Sequence, residues 1–156
     1  MIAVRLPAAP SVMPSLNVAP GAVEDCGLRL RAACARLDDL GTFVAGPARL
    51  TGWTGASAGA YRRASTAMGR GADAMSLALR RVAARVLEHA ATLTALAQQH
   101  DDLVRRSGVL VEGIAGLRRD VAAATPDRIV DLAPVLQARS DAVAGHVASY
   151  EDLRRR

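Results

Sequence analysis

Counted by sevens from Tyr61, the chain reads Tyr61, Met68, Met75, Val82, His89, Leu96, Leu103, Leu110 and Leu117. The companion positions four further on are Ala72, Leu79, Val86, Leu93, His100, Ser107, Ile114 and Val121. An apolar pair repeated every seven residues describes a helix that packs along one seam. The frame holds through about eight repeats and turns polar only at Ser65, His89, His100 and Ser107. It survives Gly108, Gly113 and Gly116, so the spacing predicts one helix over 57–124, weakened or bent at those glycines. At 1.5 Å per residue it would be ~90–100 Å long. A helix of that length needs a partner along its whole seam.

Shorter amphipathic segments flank it. Cys26, Leu30, Ala33, Leu37, Leu40 and Val44 step by fours and threes, which predicts a helix over 22–45. Glu24 and Asp25 suit the positive end of its dipole. The stretch AGPARLTGWTG stops it, since Gly46, Pro47 and two further glycines disfavour helix, so 46–56 reads as a turn. After 124, Thr125 is a candidate cap, Pro126 fits a first helical turn and Asp127 suits its dipole. A last helix over 126–154 carries Ile129, Leu132, Leu136, Val143, Tyr150 and Leu153 on one face. Arg139 and His146 intrude on that face, and Pro134 is a candidate kink. Residues 1–20, with prolines at 7, 10, 14 and 20, read as an extended or disordered arm.

Few residues favour strand. Aromatics are 3% of the chain, and alanine, leucine and valine carry most of the apolar content. The fold class expected is therefore all-α. Its form would be an elongated antiparallel hairpin or bundle over 21–156, with one very long central helix and a third, C-terminal helix. The two short helices, folded back from opposite ends, would cover much of the long one.

Chemistry is sparse. His89 and His100 would lie about 16 Å apart along a helix, too far to share a metal ion. No HExxH, paired-cysteine metal spacing, phosphate-binding glycine loop or serine elbow is present. Cys26 and Cys34, eight positions apart on one helix, would be about 12 Å apart, too far for a disulfide. Met68 and Met75 read as packing residues and the carboxylates as exposed helical charge. No catalytic residue, metal or cofactor is expected. All 20 basic residues are arginine and 15 residues are acidic, for a net charge of +5. The arginines are interspersed with acids along the helices, which reads as a solvated face in preference to a nucleic-acid footprint. No stretch approaches the ~20 apolar residues of a membrane span, and the prolines exclude the helical core of a cleavable signal peptide.

The turn is the most specific feature. In GWTGASAGAY, Trp53, Gly55, Ala58 and Tyr61 form W-x-G-x-x-A-x-x-Y between two amphipathic helices. Gly55 suits a positive φ or a tight helix–helix turn. Trp53 is placed to cap the hairpin end with its ring over both helices. Ala58 permits close approach, and Tyr61 opens the heptad frame. Across Val23 to Val121 the chain resembles the WxG-motif helical-hairpin proteins of type VII (ESX) secretion in actinobacteria. More narrowly it looks like the N-terminal targeting regions of their polymorphic toxins.

The resemblance implies a non-enzymatic protein that pairs with a second helical hairpin, as hetero- or homodimer, and meets a secretion machine. It implies that Trp53 and Gly55 serve recognition or pairing. The family's Y-x-x-x-D/E export signal is not matched: Tyr150 is followed four residues later by Arg154, and Tyr61 by Ser65. The second helix is also longer than the family's, a third helix follows, and no length remains for a toxin domain. The expectation is a small type VII substrate or, more in keeping with the missing signal, the partner or targeting chaperone of a secreted toxin. It would be cytoplasmic before any export. The packing seam expected to meet the partner comprises Met68, Met75, Leu79, Val82, Val86, Leu93, Leu96, Leu103, Leu110, Ile114 and Leu117. The residues leave two alternatives: a cytoplasmic coiled-coil scaffold or adaptor unrelated to secretion, and an arginine-rich nucleic-acid-binding helical protein.

Overall fold

The computed structural model describes residues 7–10, 13–46 and 52–155. Three helices follow in order: α1 Pro20–Ala45, α2 Ala56–Ala123 and α3 Pro126–Arg155. Among the described residues there is no strand. The chain is all-α, as its spacing predicts, and each helix bound falls within two residues of the expected one. Residues 47–51 of the predicted turn and residues 1–6 and 11–12 of the arm lie outside the described residues.

Local chemistry sets the boundaries. α1 begins with Pro20, whose missing N–H costs nothing in a first turn. The N–H groups of Ala22 and Val23 donate to Ala19 O. This start lies two residues before the expected one, so Glu24 and Asp25 fall outside the first turn, where the dipole acts most. α2 runs unbroken through Gly108, Gly113 and Gly116 for 68 residues. Thr125 O accepts the N–H of Ile129 and Asp127 sits in the first turn of α3, as the sequence predicts. α3 continues through Pro134.

Contacts divide the chain into two compact units, the first formed by residues up to Val18 together with 95–156, the second by 19–94. The boundary falls inside α2, which the two units share, and the described arm residues 7–10 and 13–18 belong with the C-terminal unit.

In the 19–94 unit, α1 and the first half of α2 form an antiparallel hairpin. A Cβ on Gly27 would stand 2.6 Å from Leu87 Cγ, one on Gly41 3.1 Å from Asp73 Oδ1, and one on Gly69 3.9 Å from Val44 Cγ1. Between these points Cys34 Sγ lies 3.7 Å from Ser76 O, and Ser76 Oγ donates to Asp38 Oδ1 at 2.7 Å. Arg80 is ion-paired with Asp38. The contact is built mainly from small residues: Gly27, Cys34 and Val44 on α1, and Ala58, Ala72, Ser76, Ala83 and Ala90 on α2, are buried.

Here the packing departs from the predicted frame. From residue 69 to 93 the buried track is Gly69, Ala72, Ser76, Leu79, Ala83, Val86, Ala90 and Leu93, the leucines and valine half-buried. Gly69, Ser76, Ala83 and Ala90 stand where the heptads placed Met68, Met75, Val82 and His89, one residue earlier. Met68, Met75 and Val82 are 51%, 57% and 50% exposed. The physical reason is close approach: α1 is held through Ser76 and its neighbours, and only side chains this small let the backbones come so near.

In the C-terminal unit the second half of α2 runs antiparallel to α3. The Arg139 guanidinium lies over Gly113, where a Cβ would meet its Cζ at 2.7 Å. Leu103, Leu110, Ile114 and Leu117 of α2 and Leu136 and His146 of α3 are buried. Ile129, Leu132, Arg139, Val143, Tyr150 and Leu153 are half-buried, so the predicted face of α3, with its two intruding polar residues, is the one that packs. The burial track reaches this unit by two successive steps of three, Ala97 to His100 to Leu103. Such a stammer brings the track into the predicted frame from Leu103 onward. His100 Nε2 donates to Pro14 O at 3.0 Å, fastening the arm. Apart from Pro20, which opens α1, the arm's described residues form no helix or strand.

Candidate functional site: an apolar docking face

The turn is made as its glycines suggest. Gly52 and Gly55 have φ of +81° and +97°, a region that residues with a Cβ rarely enter. Gly55 O accepts the N–H of Gly59 and so opens α2. The Trp53 ring lies against Tyr61, with centroids 5.6 Å apart and planes tilted by 53°. Arg62 Nη1 donates to Trp53 O at 3.5 Å. Ala58, in the first turn of α2, is buried. The four motif residues are thus gathered at one end of the hairpin. Trp53 itself is 40% exposed, so it is a partly open ring on Tyr61 and not the sealed plug that its position suggested.

From this turn an uncovered apolar stripe runs along α2. Met68, Met75 and Val82 fall within about 40° of one another on the helix wheel. Their stripe flanks the contact with α1 and borders half-buried Leu79 and Val86. On α1, Leu40 is exposed beside half-buried Leu37 and Ala33. In an antiparallel pair, positions displaced in the same rotational sense from the contact lie on the same side. Leu40 and the α2 stripe are so displaced, and the hairpin register sets Leu40 level with Met75. Together they give the hairpin one open apolar side. Leu77, also exposed, falls on the opposite flank of α2.

The predicted partner seam is therefore divided. Met68, Met75 and Val82 are open, while Leu79, Val86, Leu93 and Leu96 are half-buried. Leu103, Leu110, Ile114 and Leu117 are covered inside the chain's own C-terminal unit, and this half of the expected docking seam is core. What the heptads conceal is the lock at Asp38, Ser76 and Arg80. Its signal was an acid and a serine at positions that an apolar count treats as neutral. The Ser76 hydroxyl, and after it Arg80, hold the Asp38 carboxyl below its ordinary range against some desolvation.

The other titratable groups converge on no shared centre. Among the described residues no three His, Cys, Asp or Glu are grouped to hold a metal ion. His89 is exposed, His100 holds the arm and His146 is buried against α2. Cys34 is buried and Cys26 exposed, both as free thiols. Among the described residues no helix is long and apolar enough to cross a membrane. Comparison of the chain with protein-family models, with curated proteins and with solved structures finds no match.

Proposed function

We propose that this protein is a non-enzymatic pairing component of type VII secretion, either a small substrate or the partner or targeting chaperone of a secreted toxin. It would act by laying the open side of its N-terminal hairpin against a second helical hairpin. The observation that carries this reading is the uncovered stripe of Met68, Met75 and Val82, joined by Leu40 and ending at the Trp53–Tyr61 turn. A soluble two-helix hairpin packed through alanine and glycine buries little apolar surface, and a second hairpin would add what it lacks. Methionines suit such a face because their flexible side chains adapt to a partner.

The W-x-G turn supports the link to secretion, since it places a large, partly open aromatic beside the end of the docking stripe. The absence of an acid four residues after Tyr150 favours a partner that travels with, or hands over, a chain bearing the export signal. The test is Trp53→Ala in the native cell. It should reduce recovery of the paired complex and export of the toxin-bearing chain several-fold, while far-UV circular dichroism of the purified protein stays unchanged. Full export with normal pairing contradicts the proposal.

A further inference from the structure

Between α2 and α3, inside the C-terminal unit, lies an open trough of about 430 Å³. Leu103, Val109, Leu110 and Ala142 make it apolar along most of its length. Its volume falls in the ordinary range of small-molecule sites. A smaller, more polar hollow of about 220 Å³ adjoins it, sharing Leu103, Arg106 and Ser149 and adding Gln99, Asp102 and Asp152. An apolar hollow thus lies beside a polar one, and Arg106 lines both.

His146 lines the trough and is only 8% exposed. Its Nδ1 is sealed from solvent and has no hydrogen-bond partner, so a ligand in the trough does not reach that nitrogen. Burial, and then the charge of Arg106, lower its pKa below the ordinary 6.5. The charged groups around it are Arg105, Arg106 and Asp102 on α2 and Asp152 on α3. Arg105 is ion-paired with Asp102, while Arg106 makes no ion pair among the described residues.

We propose that the trough binds a free aliphatic monocarboxylate of medium chain length. Its carboxylate accepts hydrogen bonds from Arg106 and from His146 Nε2–H. Its tail lies along Leu110, Val109 and Ala142. A carboxylate accepts from both groups at once, and a guanidinium beside an apolar wall is the usual recognition element for it. A dianionic phosphate fits less well, because Asp102 and Asp152 face the polar end. The site is independent of the hairpin's docking face and of any role in secretion.

The probe is sodium decanoate below its micelle concentration, followed by calorimetry and by the His146 ring resonances of the full-length protein. Saturable one-to-one binding that shifts those resonances is expected. Decan-1-ol, with the same tail and no charge, should bind at least about ten-fold more weakly, as should decyl phosphate. Arg106→Gln, at an exposed position, should keep the circular dichroism spectrum and lose about ten-fold or more in decanoate affinity. His146→Gln should weaken binding in the same direction. Equal affinity for decanol, unchanged affinity in Arg106→Gln, or no saturation with decanoate overturns the proposal. If decanoate fails to bind and Arg106→Gln instead weakens pairing with a second hairpin, the trough is a helix-docking surface and the proposal is equally overturned.

Discussion

Gly27 faces Leu87 so closely that no side chain fits between them without displacement. Gly27→Val should therefore destabilise the protein by about 1–3 kcal/mol, read as a lower urea midpoint at unchanged slope. A stability within about 0.5 kcal/mol of wild type would mean that the hairpin is not held at this spacing. Nothing in an apolar pattern marks Gly27 as a contact, because hydrophobic weighting gives glycine no voice in packing. Gly55 was different: its place beside Trp53 in a turn made a positive φ legible beforehand, and φ is +97°. His146 carries a second prediction. Its folded pKa lies below the ordinary 6.5, so between the two values the unfolded chain binds more protons than the folded one. Stability should then fall as pH drops through about 6.5 and recover as pH rises. The shift in thermal midpoint between pH 7 and pH 5 should be smaller in His146→Gln; an identical shift in both proteins would remove His146 as its source.

At the scale of the helix, α2 is read correctly in extent and only partly in phase. Seven-residue spacing finds its length, since period and helix type are set by the same geometry. It cannot tell a methionine facing water from one facing core, and Ser76 and Ala83 carry too little apolar weight to show that α1 packs on them. From Leu103 onward, where large side chains fill the contact, phase and burial agree. Two truncations separate these halves. Ile114→Ala should cost about 2–5 kcal/mol, as a fully buried branched side chain leaves a cavity. Met75→Ala should change monomer stability by no more than about 0.5 kcal/mol. Equal losses at the two positions would restore Met75 to the core. The Arg106–His146 trough was not legible, because it needs the register of α3 against α2, which the spacing of either helix alone does not set.

For the molecule as a whole, the two units have different relations to their own apolar surface. The C-terminal unit buries Leu103, Leu110, Ile114 and Leu117 of α2 with Leu136 of α3, while valines such as Val109 and Val130 stay exposed. The N-terminal hairpin closes through small residues and leaves Met68, Met75, Val82 and Leu40 open on one side. That open stripe is the face that the proposed pairing with a second hairpin would cover. The most direct measurement is sedimentation velocity of wild type, of Met75→Asp/Val82→Asp, and of Leu77→Asp as a control on the opposite flank. Each is run alone and with the hairpin partner recovered from the native cell. Wild type and Leu77→Asp should sediment as a paired complex, and the double variant as a folded single chain. Pairing that survives both charges on the stripe contradicts the docking face.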